Sequence, residues 1–260
     1  MNKHSQTTLF VIIAVFIVAA ALLYFVVIKN KTLFKEGVSF TQPEEYIKKC
    51  ASDSAKNATE LMYDTGGYLN PTNYVLYDNN KVVYLCFTRT YYESCVMQEP
   101  LYVNHLQDEI KSYITPKIKD CFYNLRQEYE KRGYEVTMDS NPEIIVTLKP
   151  NKIDIDVKMN TDGGLVIKKG DETKRYEKFK TAFSSPLYDL ANLALEISSQ
   201  EAKYCHFSTL GFSLFYPDTE VSVNPSGTGT QRGKVYIITD KSTGKKLYFA
   251  IRSCEIPPGV

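Results

Sequence analysis

Residues 101–132 read LYVNHLQDEIKSYITPKIKDCFYNLRQEYEKR, and residues 144–159 read IIVTLKPNKIDIDVKM. In the first stretch, apolar side chains recur every three or four residues, which is the spacing of one face of an α-helix. In the second stretch, apolar and charged side chains alternate, as they do on a strand with one buried face. This change of period predicts an α+β fold with mostly antiparallel sheet.

The helical period recurs along the chain and predicts three main helices. They are expected over residues 41–64, 101–132 and 186–203. Thr41 and Glu44 have the spacing of a capping box at the start of the first helix. Pro116 lies inside the second helix and predicts a bend, because proline removes one backbone hydrogen bond.

The remaining periodic stretches predict strands. Residues 81–88 (KVVYLCFT) read as a buried strand. A four-stranded antiparallel meander is expected over residues 144–148, 152–159, 165–167 and 175–183. Strands are also expected at residues 212–215, 220–223, 234–239 and 247–252. The helices and strands together predict a folded domain over residues 41–260, with a lobe boundary near residue 184.

An uncharged stretch precedes this domain. Residues 9–28 read LFVIIAVFIVAAALLYFVVI, and about 20 apolar residues in a helix cross the hydrocarbon core of a bilayer. A cleavable signal has a shorter apolar core. We therefore expect a retained transmembrane helix over residues 9–28 that contacts membrane lipid. A polar tail over residues 1–8 precedes it, and a juxtamembrane linker over residues 29–40 follows it.

Two signals disagree about which side of the membrane holds the domain. Lys29, Lys31 and Lys35 follow the apolar stretch, whereas Lys3 precedes it, and the positive-inside rule then favours a cytoplasmic domain. All six cysteines lie after the stretch and lack the C-x-x-C spacing of zinc or redox motifs, which favours an oxidising compartment. We predict a single-pass protein of the cell membrane with its large C-terminal domain outside.

The six cysteines allow fifteen disulfide connectivities. Their contexts favour three pairs, Cys50–Cys121, Cys86–Cys95 and Cys205–Cys254. The first pair would join the apolar faces of two predicted helices, the second would close a short loop, and the third would bracket the C-terminal strands. The alternative is that some of these cysteines are buried free thiols.

Residues suited to catalysis are few. Within the predicted domain the histidines are His105 and His206. His105 is expected at the edge of a helix's apolar face. His206 adjoins Cys205, but neighbours on an extended chain point in opposite directions and cannot act as nucleophile and base. We predict no catalytic residue and no cofactor, and enzymatic activity is the less favoured interpretation.

One strand face carries paired carboxylates, Asp154 and Asp156. Such a pair can contribute oxygen ligands to a hard cation. Lys152 and Lys158 share the face, however, and are expected to neutralise it. We interpret it as a solvated charged face and predict no metal site.

Surface recognition is the favoured kind of activity. The sequence has 20 Tyr, 13 Phe and no Trp, and tyrosine suits binding surfaces because it combines a rigid ring with a polar tip. Tyr91 and Tyr92, between Cys86 and Cys95, are the candidate binding surface; the alternative is that tyrosines fill half-buried boundaries. Asn57 begins a sequon and is a candidate glycosylation site. A net charge of +1 argues against nucleic acid, which leaves a protein or cell-surface partner.

Four segments carry a family resemblance: GGYLNP (66–71), YLCFTRTYYESC (84–95), SSPLYDLANLALEI (184–197) and YFAIRSCEIPPG (248–259). They resemble an uncharacterised family of single-pass membrane-anchored proteins from small-genome archaea, which implies an archaeal surface setting and no assigned activity. The N-terminus is also similar in part to an archaeal class III, prepilin-like leader, with cleavage between Ser5 and Gln6. It departs from that pattern at Ser5 and Phe10, where the family usually has Gly or Ala and Glu.

The sequence therefore predicts a membrane-anchored protein that presents a disulfide-stabilised domain outside the cell for binding or envelope structure. One alternative is a pilin-like filament subunit, although Gly37 and Pro43 interrupt its helix early. The other is an extracytoplasmic hydrolase, which a cleft with two acidic side chains and no neutralising lysine would favour.

Overall fold

A computed structural model describes residues 42–90, 92–138, 141–159, 164–227 and 233–254. The described residues belong to one compact unit that begins at Gln42. The predicted tail, transmembrane helix and linker over residues 1–40 lie outside these ranges. Within the ranges, no helix is long and apolar enough to cross a membrane.

Four α-helices occur in the described ranges. They are α1 (Pro43–Tyr63), α2 (Tyr102–Lys131), α3 (Leu187–Tyr204) and α4 (Thr209–Phe215). The first three confirm the predicted helices to within a few residues. The predicted capping box is wrong in this structure, because α1 has Gln42 at its N-cap and no side-chain hydrogen bond there.

The fourth helix corrects a predicted strand at residues 212–215. Ser208 caps α4, and its hydroxyl accepts the Gly211 N–H at 3.2 Å. The segment is too short for apolar periodicity to separate a helical turn from a strand.

Twelve strands occur in the described ranges. They are β1 (Tyr74–Tyr77), β2 (Asn80–Phe87), β3 (Val96–Met97), β4 (Glu135–Thr137), β5 (Glu143–Lys149), β6 (Lys152–Lys158), β7 (Leu165–Lys169), β8 (Glu172–Tyr176), β9 (Lys178–Ser184), β10 (Thr219–Ser226), β11 (Gly233–Asp240) and β12 (Lys246–Arg252). The α+β class with mainly antiparallel sheet is therefore confirmed.

The main sheet has the order β1-β2-β12-β11-β10, with β3 also paired to β2. Its neighbours are antiparallel except for β2 and β12, which are parallel. This parallel pair joins an N-terminal hairpin to a C-terminal meander. The hairpin turns at Asp78 and Asn79, whose φ angles of 47° and 66° are those that a tight hairpin turn requires.

The predicted four-stranded meander is wrong. Strands β5, β6 and β9 form one three-stranded sheet, and β4, β7 and β8 form another. The stretch predicted as one strand over residues 175–183 divides at Glu177, so that β8 pairs with β7 and β9 pairs with β6. Alternation specifies which face of a strand is buried, but it leaves the choice of neighbour open.

Helices α1, α2 and α3 each bury one stripe of side chains. Helix α1 packs against α2 and β9, and α2 also packs against β5. The Phe122 ring of α2 meets the Phe179 ring of β9 with centroids 5.5 Å apart. Helix α3 packs against β2, β11 and β12 of the main sheet. The other face of that sheet has its own apolar cluster, built around Val82, Tyr84, Val235 and Ala250.

All six cysteines are paired, in the three pairs that their contexts favoured. The Cα atoms of Cys50–Cys121 are 6.6 Å apart, and those of Cys86–Cys95 and Cys205–Cys254 are each 5.4 Å apart. The first disulfide joins α1 to α2. The third joins the end of α3, where Cys205 has a left-handed φ of 56°, to the residues after β12.

Gly66 and Gly67 connect α1 to the rest of the fold. Their φ angles are 73° and 83°, which only glycine adopts without strain. The Gly67 N–H donates to the Met62 carbonyl at 2.8 Å. The hydroxyl of Tyr102, on α2, donates to the Gly66 carbonyl at 3.0 Å. The turn therefore fixes α1 and α2 against each other.

We predict that Gly67→Ala lowers the free energy of unfolding by about 2–5 kcal/mol, measured by denaturant unfolding. The left-handed backbone costs about 1–2 kcal/mol for alanine, and the new Cβ would overlap Leu106 and Tyr102, which adds an overpacking cost. Gly133→Ala is the matched control, because its φ is 78° with open space around the Cβ position; we expect a loss of about 1–2 kcal/mol there. Equal losses would contradict the packing account.

Candidate functional site

A groove of about 810 Å³ lies between α3 and α4. We call it the α3–α4 groove. Helix α3 lines it with Tyr188, Asp189, Asn192, Leu193, Glu196 and Gln200. The segment containing α4 lines it with Phe207, Ser208, Gly211, Phe212, Phe215, Tyr216 and Thr219. Its volume is within the range of ligand-binding clefts.

The two faces of α3 explain why the groove is at this position. Its buried face, which includes Leu190, Ala194 and Ile197, packs towards the main sheet. The side chains that line the groove come from the opposite face of the same helical period. The third predicted helix therefore supplies both a core contact and one wall of the groove.

The other wall is aromatic and is fixed at its base. Phe207 is buried and meets the Tyr236 ring of β11 edge-on, with centroids 6.2 Å apart. Phe212 packs on Phe207 at 5.8 Å and stacks on Tyr216 at 4.3 Å, with ring planes 11° apart. This series of rings holds the short helix α4 beside α3.

Helix α4 also carries large apolar side chains that are exposed to solvent. Leu210, Leu214 and Phe215 are 75%, 77% and 81% exposed, and these are the highest values among large apolar side chains in the described ranges. A cluster of such side chains on a folded surface typically marks an interaction site. We call these three residues the α4 ridge.

The groove carries negative charge from Asp189 and Glu196. The Asp189 carboxylate accepts the Asn151 N–H at 2.9 Å, and the Glu196 carboxylate accepts the Gln200 side-chain amide at 2.7 Å. Among the described residues that line the groove, none is Lys or Arg. The carboxylates therefore have no lysine or arginine beside them within the lining.

These carboxylates meet one condition for the hydrolase alternative, since they share a cleft without lysine. Their positions on α3 differ by seven residues, which is about 10 Å along the helix axis. Asp189 is also engaged in a backbone contact. The hydrolase alternative stays a prediction.

A buried ion pair lies beneath the end of α3. Glu201 has no solvent exposure, and its two carboxylate oxygens accept the Lys234 ammonium at 2.6 and 2.8 Å. The Tyr236 hydroxyl also donates to Glu201. Lys234 donates further to the Cys205 carbonyl at 3.1 Å, and the Ser253 hydroxyl donates to the Glu201 carbonyl at 3.0 Å. These bonds fix the C-terminal end of α3 on β11.

The candidate binding surface from the sequence is elsewhere. Tyr92 is 73% exposed, whereas Tyr91 lies outside the described residues. The loop closed by Cys86–Cys95 borders a different depression of about 620 Å³, whose lining includes Arg89 and Glu93. Tyr92 does not line the α3–α4 groove.

The first and third residues of the sequon, Asn57 and Thr59, differ in solvent exposure. Asn57 is exposed on α1. Thr59 is buried, and its hydroxyl donates to the Ala55 carbonyl at 2.8 Å. Glycosylation at Asn57 stays a prediction.

His105 lies between two carboxylates at the start of α2. Its Nδ1 is 3.8 Å from Glu99, its Nε2 is 3.9 Å from Glu109, and its ring packs on Tyr68 with centroids 3.9 Å apart. Glu109 also accepts the Leu69 N–H at 3.0 Å. Because the carboxylates face opposite ring nitrogens, one ion cannot bind all three side chains. The cluster ties the residues after the Gly66-Gly67 turn to α2.

The paired aspartates on β6 form salt bridges. Asp154 lies 2.8 Å from the Lys149 ammonium and 2.9 Å from that of Lys152, and Asp156 lies 3.1 Å from Lys180. Lysines hold the pKa of Asp154 below its ordinary value through hydrogen bonds. Across the described part of the chain, no group of three metal-ligating side chains is placed to hold an ion.

The sequence contained a partial signal for the groove. The polar positions Tyr188, Asn192, Glu196 and Gln200 recur along one face of α3, and residues 207–216 (FSTLGFSLFY) are densely apolar. Because residues 212–215 were predicted as a strand, the sequence did not indicate that these two segments form one groove.

No family model, curated protein or solved structure matches the chain.

We predict that Tyr236 makes stability fall as pH rises above about 10. Burial, and then the Glu201 carboxylate, raise the pKa of Tyr236 above its ordinary value. Above pH 10 the unfolded chain releases this proton while the folded chain keeps it, so folding becomes less favourable. Each such tyrosine contributes a slope of up to about 1.4 kcal/mol per pH unit.

Denaturant unfolding between pH 8 and 11.5 tests this prediction. Tyr236→Phe should be less stable at pH 8, because it loses the hydrogen bond to Glu201, but its stability should fall less steeply above pH 10. Tyr123→Phe, at a position 57% exposed on α2, is the control and should keep the wild-type slope. Equal slopes for wild type and Tyr236→Phe would contradict the prediction.

Proposed function

We propose that the protein is anchored in the cell membrane by one N-terminal helix and presents its C-terminal domain outside the cell as a binding module. The α3–α4 groove, with its acidic wall and the exposed ridge on α4, carries this proposal. A folded domain rarely leaves large apolar side chains clustered and exposed at the edge of a cleft unless they contact a partner.

The paired cysteines support the extracytoplasmic side. All six form disulfides, and disulfides persist in oxidising compartments and are rare in the cytosol. The disulfides are stronger evidence than the positive-inside count, because residues 29–35 contain only a few more lysines than the tail that precedes the helix. The archaeal surface setting suggested by the family resemblance is consistent with this location and stays part of the proposal.

The anchor is proposed from the sequence. Residues 9–28 have the length and apolarity of a membrane-spanning helix. The compact unit begins at Gln42, after the segment assigned as linker. In this proposal, the N-terminal helix attaches the chain to the membrane, and the α3–α4 groove binds the partner.

We predict that denatured, unreduced protein from native membranes contains no free thiol. Labelling with a maleimide–polyethylene glycol reagent should leave its mobility on a gel unchanged, and the same sample after reduction should carry six labels, one for each cysteine.

We also predict that the protein stays in the membrane pellet after alkaline carbonate extraction, because a spanning helix resists that treatment.

Six labels before reduction would overturn the external location. Release by carbonate would overturn the anchor. Mass spectrometry of the native N-terminus separates the proposal from a filament subunit: an intact tail over residues 1–8 supports the anchor, and a start at Gln6 supports leader cleavage.

A further inference from the structure

We infer that the α3–α4 groove binds a cationic segment of a partner protein, in which Lys or Arg alternates with apolar side chains. This inference rests on the proposed binding function and specifies its ligand class. Two independent properties of the groove support it: the unneutralised negative charge on its α3 wall and the aromatic and apolar surface of its α4 wall.

The charge has no lysine or arginine beside it in the groove. Glu196 is exposed and bonds the neutral amide of Gln200. Lys203, one turn beyond Gln200, places its ammonium 5.0 Å from the centre of the Tyr204 ring. A Lys or Arg side chain from a partner would supply the counter-charge that the lining lacks.

The aromatic wall suits the same partner. Phe215 and Tyr216 present exposed rings, at 81% and 56% exposure, and the faces of such rings attract Lys and Arg. Leu210 and Leu214 extend the wall outward as apolar surface. A segment that alternates cationic and apolar side chains can meet the carboxylates, the rings and the ridge together.

Two other occupants fit less well. A surface of anionic lipid would be repelled by Asp189 and Glu196, because like charges repel. A second copy of this domain could offer its own α4, but residues 209–215 (TLGFSLF) contain no Lys or Arg. A cationic polypeptide satisfies both the charge and the apolar surface.

The test uses the full chain in nanodiscs of zwitterionic lipid, with empty nanodiscs as the blank. The probes are three fluorescein-labelled nine-residue peptides: one alternates Leu and Lys, one Leu and Glu, and one Ser and Lys. Fluorescence anisotropy should show the tightest binding for the Leu/Lys peptide, and this binding should weaken as salt is raised.

Variants then locate the site. Glu196→Gln should weaken binding of the Leu/Lys peptide about fivefold, the upper range for an exposed charge pair. Phe215→Ser should weaken it about tenfold, by removing buried apolar area from the complex. Glu135→Gln is the matched control, since Glu135 is exposed on β4 and does not line the groove. Circular dichroism and an unchanged thiol count should show that each variant is folded.

Equal affinity for the Leu/Lys and Leu/Glu peptides would overturn the inference, and so would unchanged binding in both groove variants. The inference would also fail if the α4 ridge bound a second copy of this chain or a lipid surface instead of the peptide. In that case Leu214→Ser would abolish self-association of the full chain, or its adsorption to vesicles of anionic lipid, while peptide binding stayed unchanged. The thiol and carbonate experiments do not depend on peptide binding. They therefore show whether the domain is anchored and external even if the groove does not bind cationic peptides.

Discussion

The position of α3 depends on a carboxylate that is removed from water. An unpaired buried charge would cost several kcal/mol, so Glu201 requires Lys234 and Tyr236 beside it. Because those partners lie on β11, the requirement fixes the end of α3 against the main sheet. Phe207 then packs on the same Tyr236 and places α4. One buried polar cluster thus sets the distance between the two walls of the groove.

The residues that hold α3 in place are largely different from those that would contact a partner. The cluster and the Cys205–Cys254 disulfide act at the same end of α3, so the helix is held by both covalent and electrostatic constraints. Of the side chains that line the groove, Phe207 packs on Tyr236 of the main sheet and Asp189 accepts the Asn151 N–H, whereas Glu196 bonds Gln200 of its own helix. Glu196 and the α4 ridge can therefore be specialised for a partner without weakening the core.

Much of the fold could be predicted because its signals are local. The apolar stripe through Leu106, Ile110 and Ile114 is long enough to give α2 nearly its observed bounds. The contexts of the cysteines favoured the three observed disulfides but left free thiols as an alternative. Strand partners were harder, because the alternation in β6 is satisfied equally by any neighbour that covers its apolar face. The groove was hardest: it depends on Phe207 meeting Tyr236, and no local pattern links these residues.

The parallel pairing of β2 with β12 has a consequence for how the chain is made. Strand β2 ends at Phe87, and its neighbour β12 begins at Lys246, so the main sheet cannot close until β12 has been synthesised. Such non-local pairing slows folding and leaves strand edges open in the interval. The early hairpin of β1 and β2 would need protection from neighbouring chains until then.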